Sequence, residues 1–350
     1  MGFVEEVLAV AHRVTLKDVA REVGLSESAV SQVLNERPCR LAEESKQRIR
    51  DAAKRLDYHP NRVARGLAMS RSDTIGLVIP DIENPFFASL AKHLERACRL
   101  DGRGLFVTSA GEGAQDECAQ LRRLDARGVD GIVYVASAGS TPDGSELVRD
   151  ALGRLATPLV MVDRTVSGAA CDTVQVDNRL GAYLAVEYLI SRGHRAIACL
   201  VNARGSANGA ERLRGCMDAM GGHGLSDGLS VIECDYHVED GYRAAGEIPA
   251  GATAVFSSSD LITAGVLKRL YEDGVNVPSD LSLVSFDNSA AFILGGPGIT
   301  SIEQDTRALA ERSYALLSAR IAGSHESIVH ETIEPHLVEK TSVLDVRQPI

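Results

Sequence analysis

Between residues 14 and 58, apolar positions recur every three or four residues. The first set is Leu16, Val19, Ala20 and Val23; the second is Ala29, Val30, Val33 and Leu34; the third is Ile49, Ala52, Ala53 and Leu56. That spacing puts each set on one face of a helix. Thr15 is placed to cap the first helix, Gly24 to end it in a left-handed turn, and Ser26 to cap the second. Two short amphipathic helices joined by a glycine-containing turn predict a helix-turn-helix. A third helix is expected over roughly 43–56, with Glu43 and Glu44 at the positive end of its dipole. Beyond residue 74 the pattern changes. Short runs rich in Val, Ile and Leu occur at 74–80, 104–109, 131–135, 158–163 and 173–178, then at 196–201, 229–234, 254–259 and 281–286. They alternate with helical segments, which predicts parallel sheets covered on both faces. So many strands exceed one sheet, so two lobes are expected.

Length and charge sharpen this division. A chain of 350 residues is too long for one ordinary core and suggests two or three domains. Residues 1–72 carry 13 Lys and Arg against 10 Asp and Glu, whereas the remainder carries 24 against 38. A basic head on an acidic body points to a polyanion met by the head alone. No apolar run reaches the ~18 residues of a membrane span, so no membrane partner is expected. Glu5 and Glu6 stand where a signal peptide carries positive charge. The seven cysteines are scattered, with no CxxC pair, which fits reduced thiols in a cytoplasm and no metal site. No cofactor is expected.

The second helix turns Glu27, Ser28, Ser31, Gln32 and Asn35 outward, small and polar side chains suited to base edges in a major groove. A three-helix domain built for protein contacts would show the same apolar faces, so the next segment matters. In HPNRVARGLA, Pro60 breaks the preceding helix and Asn61 can cap a very short one, Arg62–Ala68. So short a helix needs a partner surface. Ala64 and Leu67 share one face, flanked by Arg62 and Arg65, an apolar wedge between cations of the kind that opens a minor groove.

VTLKDVAREVGLSESAVSQVLN together with HPNRVARGLA resembles the LacI/GalR family of bacterial transcription regulators, and the resemblance extends over about residues 14 to 342. It implies an all-α helix-turn-helix DNA-binding head with a hinge helix. An α/β two-lobed periplasmic-binding-protein-like domain of parallel sheets would follow, with a ligand between the lobes. It further implies a sugar-responsive repressor, working as a homodimer on palindromic double-stranded operator DNA. Thr15, Leu16, Ser26 and the outward residues of 26–35 would meet the major groove; Asn61, Arg62, Ala64, Arg65 and Leu67 would meet the minor groove, with Leu67 as the wedge. The expected boundaries are 1–13 for an N-terminal extension, 14–59 for the head, 60–73 for the hinge and linker, 74–342 for the body and 343–350 for a tail. Within the body, one lobe would hold 74–162 and 291–322, the other 163–290 and 323–342. Two departures stand out. Gln32 occupies a position where many members carry Arg, and Gln favours adenine where Arg favours guanine. Ala42 stands where the third helix usually has a Ser or Thr cap.

Ligands of parallel sheets bind at the carboxyl ends of strands. Those ends carry Asn84, Phe86 and Phe87, then Asp163 and Arg164, and finally Ser259, Asp287 and Gln304; nearby segments supply Arg212 and Tyr236. Aromatic faces, carboxylates, guanidiniums and an amide suit a polyhydroxyl ligand. The set resembles a sugar-repressor pocket, with Ser259 where an Asn usually precedes the aspartate. Asp260 is expected to be structural. Each of these residues also has a plain core, ion-pair or capping reading. Enzyme signatures are weak: GEGAQD at 111–116 lacks a third glycine, and no phosphate loop, nucleophile elbow or HExxH occurs. His59 belongs to the hinge, and His194 is expected to be solvated or capping. Asp163 and Asp287 could form an acid–base pair, but their arginine-rich surroundings are expected to lower both pKa values. The remaining alternative is a cytoplasmic sugar- or nucleoside-binding protein, or a sugar-converting enzyme, without DNA function.

Overall fold

The computed structural model describes residues 14–35, 38–58, 72–111, 113–137, 146–289 and 298–347. It separates into two compact units, Met1–Ser72 and Asp73–Ile350. The expected hinge residues Asn61, Arg62, Ala64, Arg65 and Leu67 lie outside the described residues.

In the first unit, α1 spans Leu16–Val23, α2 Glu27–Leu34 and α3 Glu43–Arg55. Thr15 opens α1 with a capping box: its hydroxyl accepts from the Asp18 amide, and the Asp18 carboxylate accepts from the Thr15 amide at 2.9 Å. Gly24 ends α1 at φ 70°, a left-handed conformation that favours glycine. Ser26 caps α2 by accepting from the Ala29 amide at 3.2 Å. Ala42 opens α3 with no side-chain cap. Val19, Val30 and Ile49, one from each helix, are fully buried against one another. Ala29 and Leu34, expected inside, are only half-buried.

The second unit holds two six-stranded sheets. Its strands are β1 Thr74–Ile79, β2 Gly104–Ser109, β3 Gly131–Tyr134, β4 Leu159–Val162, β5 Asp172–Val176, β6 Ile197–Val201, β7 Leu229–Glu233, β8 Ala254–Ser257, β9 Ser282–Asp287, β10 Thr300–Glu303, β11 His330–Ile333 and β12 His336–Val338. The first sheet runs β11-β5-β4-β3-β1-β2 and the second β12-β10-β9-β8-β6-β7. The pairs are parallel except β10 with β12, where the chain turns back at the edge. The helices are α4 Pro85–Leu100, α5 Ala114–Ala126, α6 Glu146–Gly153, α7 Asn178–Ser191, α8 Ala207–Gly222, α9 Val238–Ala245, α10 Asp260–Glu272 and α11 Thr306–Ile321. Buried apolar clusters line each sheet on both faces, as parallel sheets require.

Strand order moves the lobe boundaries. The expected crossovers near 162, 290 and 322 are displaced to about 177, 304 and 335. β5 and β11 hydrogen-bond within the first sheet, and β10 within the second. α11 joins the first lobe through Leu309, Ala310, Tyr314 and Leu317. The tail expected from 343 instead continues the second lobe as far as it is described. Val343 packs on the core, the Leu344 amide donates to Ser282 Oγ at 2.9 Å, and the Val346 amide donates to the Arg192 carbonyl at 2.9 Å.

Candidate functional site: a buried polar cleft and a helix-turn-helix

All ten of the strand-end and neighbouring residues named from the sequence as ligand contacts line one tightly closed pocket. Asn84, Phe86 and Phe87 come from the turn after β1 and the start of α4. Asp163 and Arg164 follow β4. Arg212 projects from α8, Tyr236 from the turn after β7, and Ser259 from the start of α10. Asp287 ends β9, and Gln304 follows β10. These positions derive from both lobes, so the cavity sits between the carboxyl ends of two sheets.

The lining is densely wired. Arg212 lies with its guanidinium carbon 3.7 Å from the centre of the Phe286 ring, and donates to Asn178 Oδ1 at 2.8 Å and to the Ser258 carbonyl. Arg164 stands over both Phe87 and Tyr236, at 5.4 and 5.1 Å from their ring centres, and 3.9 Å from the Asp163 carboxylate. Gln304 Nε2 donates to Asp287 Oδ1. Asp260 supports the floor: Ser285 donates to one of its oxygens at 2.8 Å, and the Ser289 amide to the other at 2.7 Å. Ser259 spends its hydroxyl capping α10 through the Ile262 amide, and Asn84 spends its carbonyl oxygen on the Phe86 amide. The backbone is held under strain at both pocket aspartates, with φ 63° at Asp163 and 99° at Asp287. Such positions cost about 1–3 kcal/mol each and concentrate at ligand clamps.

Asn208 is the one lining residue that sequence reasoning missed. Its Nδ2 donates to Asp163 Oδ1 at 3.1 Å, joining the second lobe to the first. The signal was its place four residues ahead of Arg212, on the same helical face. Two buried polar atoms of the lining, Tyr236 Oη and Gln304 Oε1, have no hydrogen-bond partner among the described residues. Leaving each unpaired costs about 1–3 kcal/mol, which a ligand hydroxyl or ring nitrogen would recover.

The expected lowering of the two aspartate pKa values is reversed. Burial pushes Asp163 up to about 6 despite the attraction of Arg164 and Arg212, and it raises Asp287 as well. Asp260 is pushed up to about 7 by burial, reinforced by the Asp287 charge. Desolvation of a fully enclosed carboxyl outweighs two nearby guanidiniums, a balance that depth sets and residue order does not. His194, expected to be solvated or capping, is buried instead. It bonds Thr253 Oγ1 at 2.9 Å and the Leu344 carbonyl at 3.1 Å, and burial lowers its pKa. Among the described residues no group of three or more His, Cys, Asp or Glu is arranged to hold a metal, and no helix is long and apolar enough to cross a membrane.

On the helix-turn-helix, Glu27, Ser28 and Gln32 are exposed on one side of α2. Ser31 and Asn35 are half-buried, and Asn35 Nδ2 donates to the Ser31 carbonyl at 2.8 Å. Thr15 and Ser26 have their hydroxyls engaged in caps, and Leu16 packs half-buried against the three-helix core. Only three of the expected base-reading side chains on α2 are therefore presented openly.

A three-helix unit with an exposed polar second helix, followed by a two-lobed α/β unit with an enclosed polar cleft, defines a DNA-binding regulator with a ligand-binding body. The chain matches the family model for bacterial regulatory proteins of the lacI family over residues 15–61, and that for a periplasmic binding protein-like domain over 186–343. It is 32% identical over 336 residues to the HTH-type transcriptional repressor PurR of Klebsiella pneumoniae, covering 95% of this chain and 97% of that one. PurR of Vibrio atlanticus is 31% identical over 335 residues, 94% of this chain and 98% of that protein. Among solved structures, the lac repressor dimer bound to operator and an anti-inducer superposes with a TM-score of 0.82 at 23% identity, over 95% of this chain and 99% of that one. A LacI family regulator from Enterococcus faecium with bound ribose gives 0.70 at 26% identity, over 78% and 99%. The chain belongs to the LacI family of DNA-binding transcriptional regulators.

Proposed function

We propose that this regulator is a cytoplasmic homodimeric repressor whose operator affinity is set by a sugar held between the two lobes. The observation that carries the reading is the composition of one enclosed cavity. It contains two aspartates, two arginines, three amides and three aromatic rings, with near-balanced charge and two polar atoms without a partner among the described residues. Balanced charge favours a neutral ligand over a phosphate, since no net cation remains to neutralise one. Aromatic faces suit the C–H faces of a sugar ring, and alternating donors and acceptors suit its hydroxyls. The ribose bound to the Enterococcus faecium relative supports the same ligand class.

Each head would read one half-site of a palindrome, with Glu27, Ser28 and Gln32 toward base edges, and paired hinge segments would wedge Leu67 into the minor groove. A sugar that binds one lobe arrangement better than another shifts operator affinity, and the coupling is reciprocal. The test is a thermal-shift screen against pentoses, hexoses, sugar phosphates and nucleosides. A true effector at ~100 times its Kd adds ~2.7 kcal/mol to the stability of the unit it binds. A neutral sugar or sugar derivative that stabilises the body supports the reading; stabilisation by sugar phosphates alone overturns it.

A further inference from the structure

The sheet of the first lobe carries a second concave site at its other end. Where β4 and β5 begin, opposite the strand ends that form the cleft, a hollow of about 660 Å³ opens between the end of α6, the 167–171 turn and the 324–328 segment after α11. That volume lies within the ~300–1,000 Å³ of small-molecule pockets. The hollow shares no described lining residue with the cleft.

One wall is firmly held. Arg320 grips the Asp172 carboxylate through two bonds of 2.7 Å and donates to the Glu326 and Ser327 carbonyls at 2.7 and 3.0 Å. The Val329 amide also donates to Asp172, at 2.9 Å. These bonds pin the segment after α11 to the start of β5. The surface they frame is largely apolar, with Leu152, Leu155, Pro158, Leu159, Ala169 and Ile328 in the lining. Ile328 is 46% exposed, so apolar area is open to be covered.

Charge in the lining is uneven. Asp172 and Arg320 neutralise one another, and Arg320 also feels the Glu326 carboxylate at the rim. Arg149 is held less tightly. Its ion pair with Glu146, whose side chain is 90% exposed, is stretched to 3.9 Å, and its other bond is to the Ser167 carbonyl at 3.3 Å. An exposed pair of that length contributes little. The Arg149 stem runs beside Gly168, at φ 75°, where an added Cβ would lie 3.5 Å from the Arg149 Cδ. A guanidinium beside an apolar floor matches a carboxylate on an apolar body, since the two planar groups can pair bidentately while the body covers the leucines. A sugar would find few polar partners on that floor, and a phosphate dianion would find one guanidinium and the Glu326 charge.

We propose that this hollow is a second small-molecule site, separate from the cleft, for a monocarboxylate with an aromatic or aliphatic body, its carboxylate on Arg149 and its body on Leu152, Leu155 and Ile328. The proposal is independent of the sugar reading of the cleft.

The experiment is isothermal titration of the full chain with 4-phenylbutyrate and octanoate. 4-Phenylbutan-1-ol and octan-1-ol serve as uncharged counterparts, and inorganic phosphate as an anion without an apolar body. At least one carboxylate is expected to bind about 10-fold tighter than its alcohol, and phosphate is expected not to bind. Cys171, in the lining, locates the occupant: it is half-buried, as is Cys39 in the first unit, whereas the other five thiols are buried. A carboxylate at ~10 times its Kd is expected to slow methanethiosulfonate labelling of Cys171 about 10-fold and to leave Cys39 unchanged. Arg149→Gln is expected to weaken the carboxylate about 10-fold and leave the alcohol unchanged. Gly153→Phe, at a position where an added Cβ meets nothing within 4 Å, is expected to fill the hollow and abolish binding. Ala170→Trp fills it from the 167–171 turn if the first variant melts early. Two carboxylates that fail to bind, an alcohol or phosphate that binds as tightly as the acid, or binding that leaves Cys171 labelling or the Arg149→Gln affinity unchanged overturns the proposal.

Discussion

Single residues in the cleft carry an electrostatic signature that can be read as pH dependence. Asp163 and Asp260 hold their protons up to about 6 and 7, well above the 3.8 of an ordinary aspartate. Between those limits the folded chain binds protons that the unfolded chain has released, so these two groups lower stability as pH rises. The ligand-free protein is expected to melt at a lower temperature at pH 7.5 than at pH 5.5, and Asp260→Asn should flatten that slope; an identical slope in the variant would remove Asp260 as its source. Ligand hydroxyls that donate to Asp163 need it ionised, so effector affinity should weaken as pH falls through about 6. The positions of these residues were legible in the sequence because strand ends are. Their ionisation was not, because the depth of burial arises from two lobes closing on one another. Asn208 was hidden for the same reason: its partner Asp163 lies in the other lobe.

Elements show which local signals suffice. The caps at Thr15, Ser26 and Gly24 are short-range chemistry, and the helices begin and end where those residues stand. Ala42→Ser should supply the missing cap of α3 and stabilise the first unit by about 1 kcal/mol, measured by urea unfolding. β1 to β9 were legible because buried parallel strands read as apolar runs. β10, β11 and β12 are short and interrupted by Thr, Ser, Glu and His, and long-range pairing alone makes them strands. Missing β10 and β11 displaced the second and third crossovers; the first moved because β5, legible as a strand, pairs with β4 in the first sheet. Helix packing in the second lobe depends on small residues: a Cβ added at Gly215 on α8 would lie 2.1 Å from the Arg179 carbonyl oxygen, at the α7 contact. Gly215→Ala is expected to destabilise by about 1–3 kcal/mol. Gly222→Ala, near the end of the same helix with nothing within 4 Å, should be neutral or stabilising.

For the whole molecule, the division into a basic head and an acidic body matches the division into two units, and each has its own core. Base reading belongs to the first unit. Gln32→Arg should change the preferred base at one position of each half-site, toward guanine, in a selection from random DNA; an unchanged site would take Gln32 out of the reading set. Control belongs to the second unit, where Arg212 links α7, the Ser258 turn and the Phe286 ring around the cavity. The central claim is that a ligand in this cleft changes how DNA is held. Its most direct test is fluorescence anisotropy of operator binding with and without the sugar-type ligand that stabilises the body, on the parent chain and on Arg212→Ala. A coupling of about 1–3 kcal/mol predicts a shift in operator Kd of about 5- to 150-fold in the parent chain. The variant should bind operator as tightly as the ligand-free parent and should not respond. An operator Kd that stays constant while the ligand saturates the parent chain, or a full response in the variant, would contradict the account.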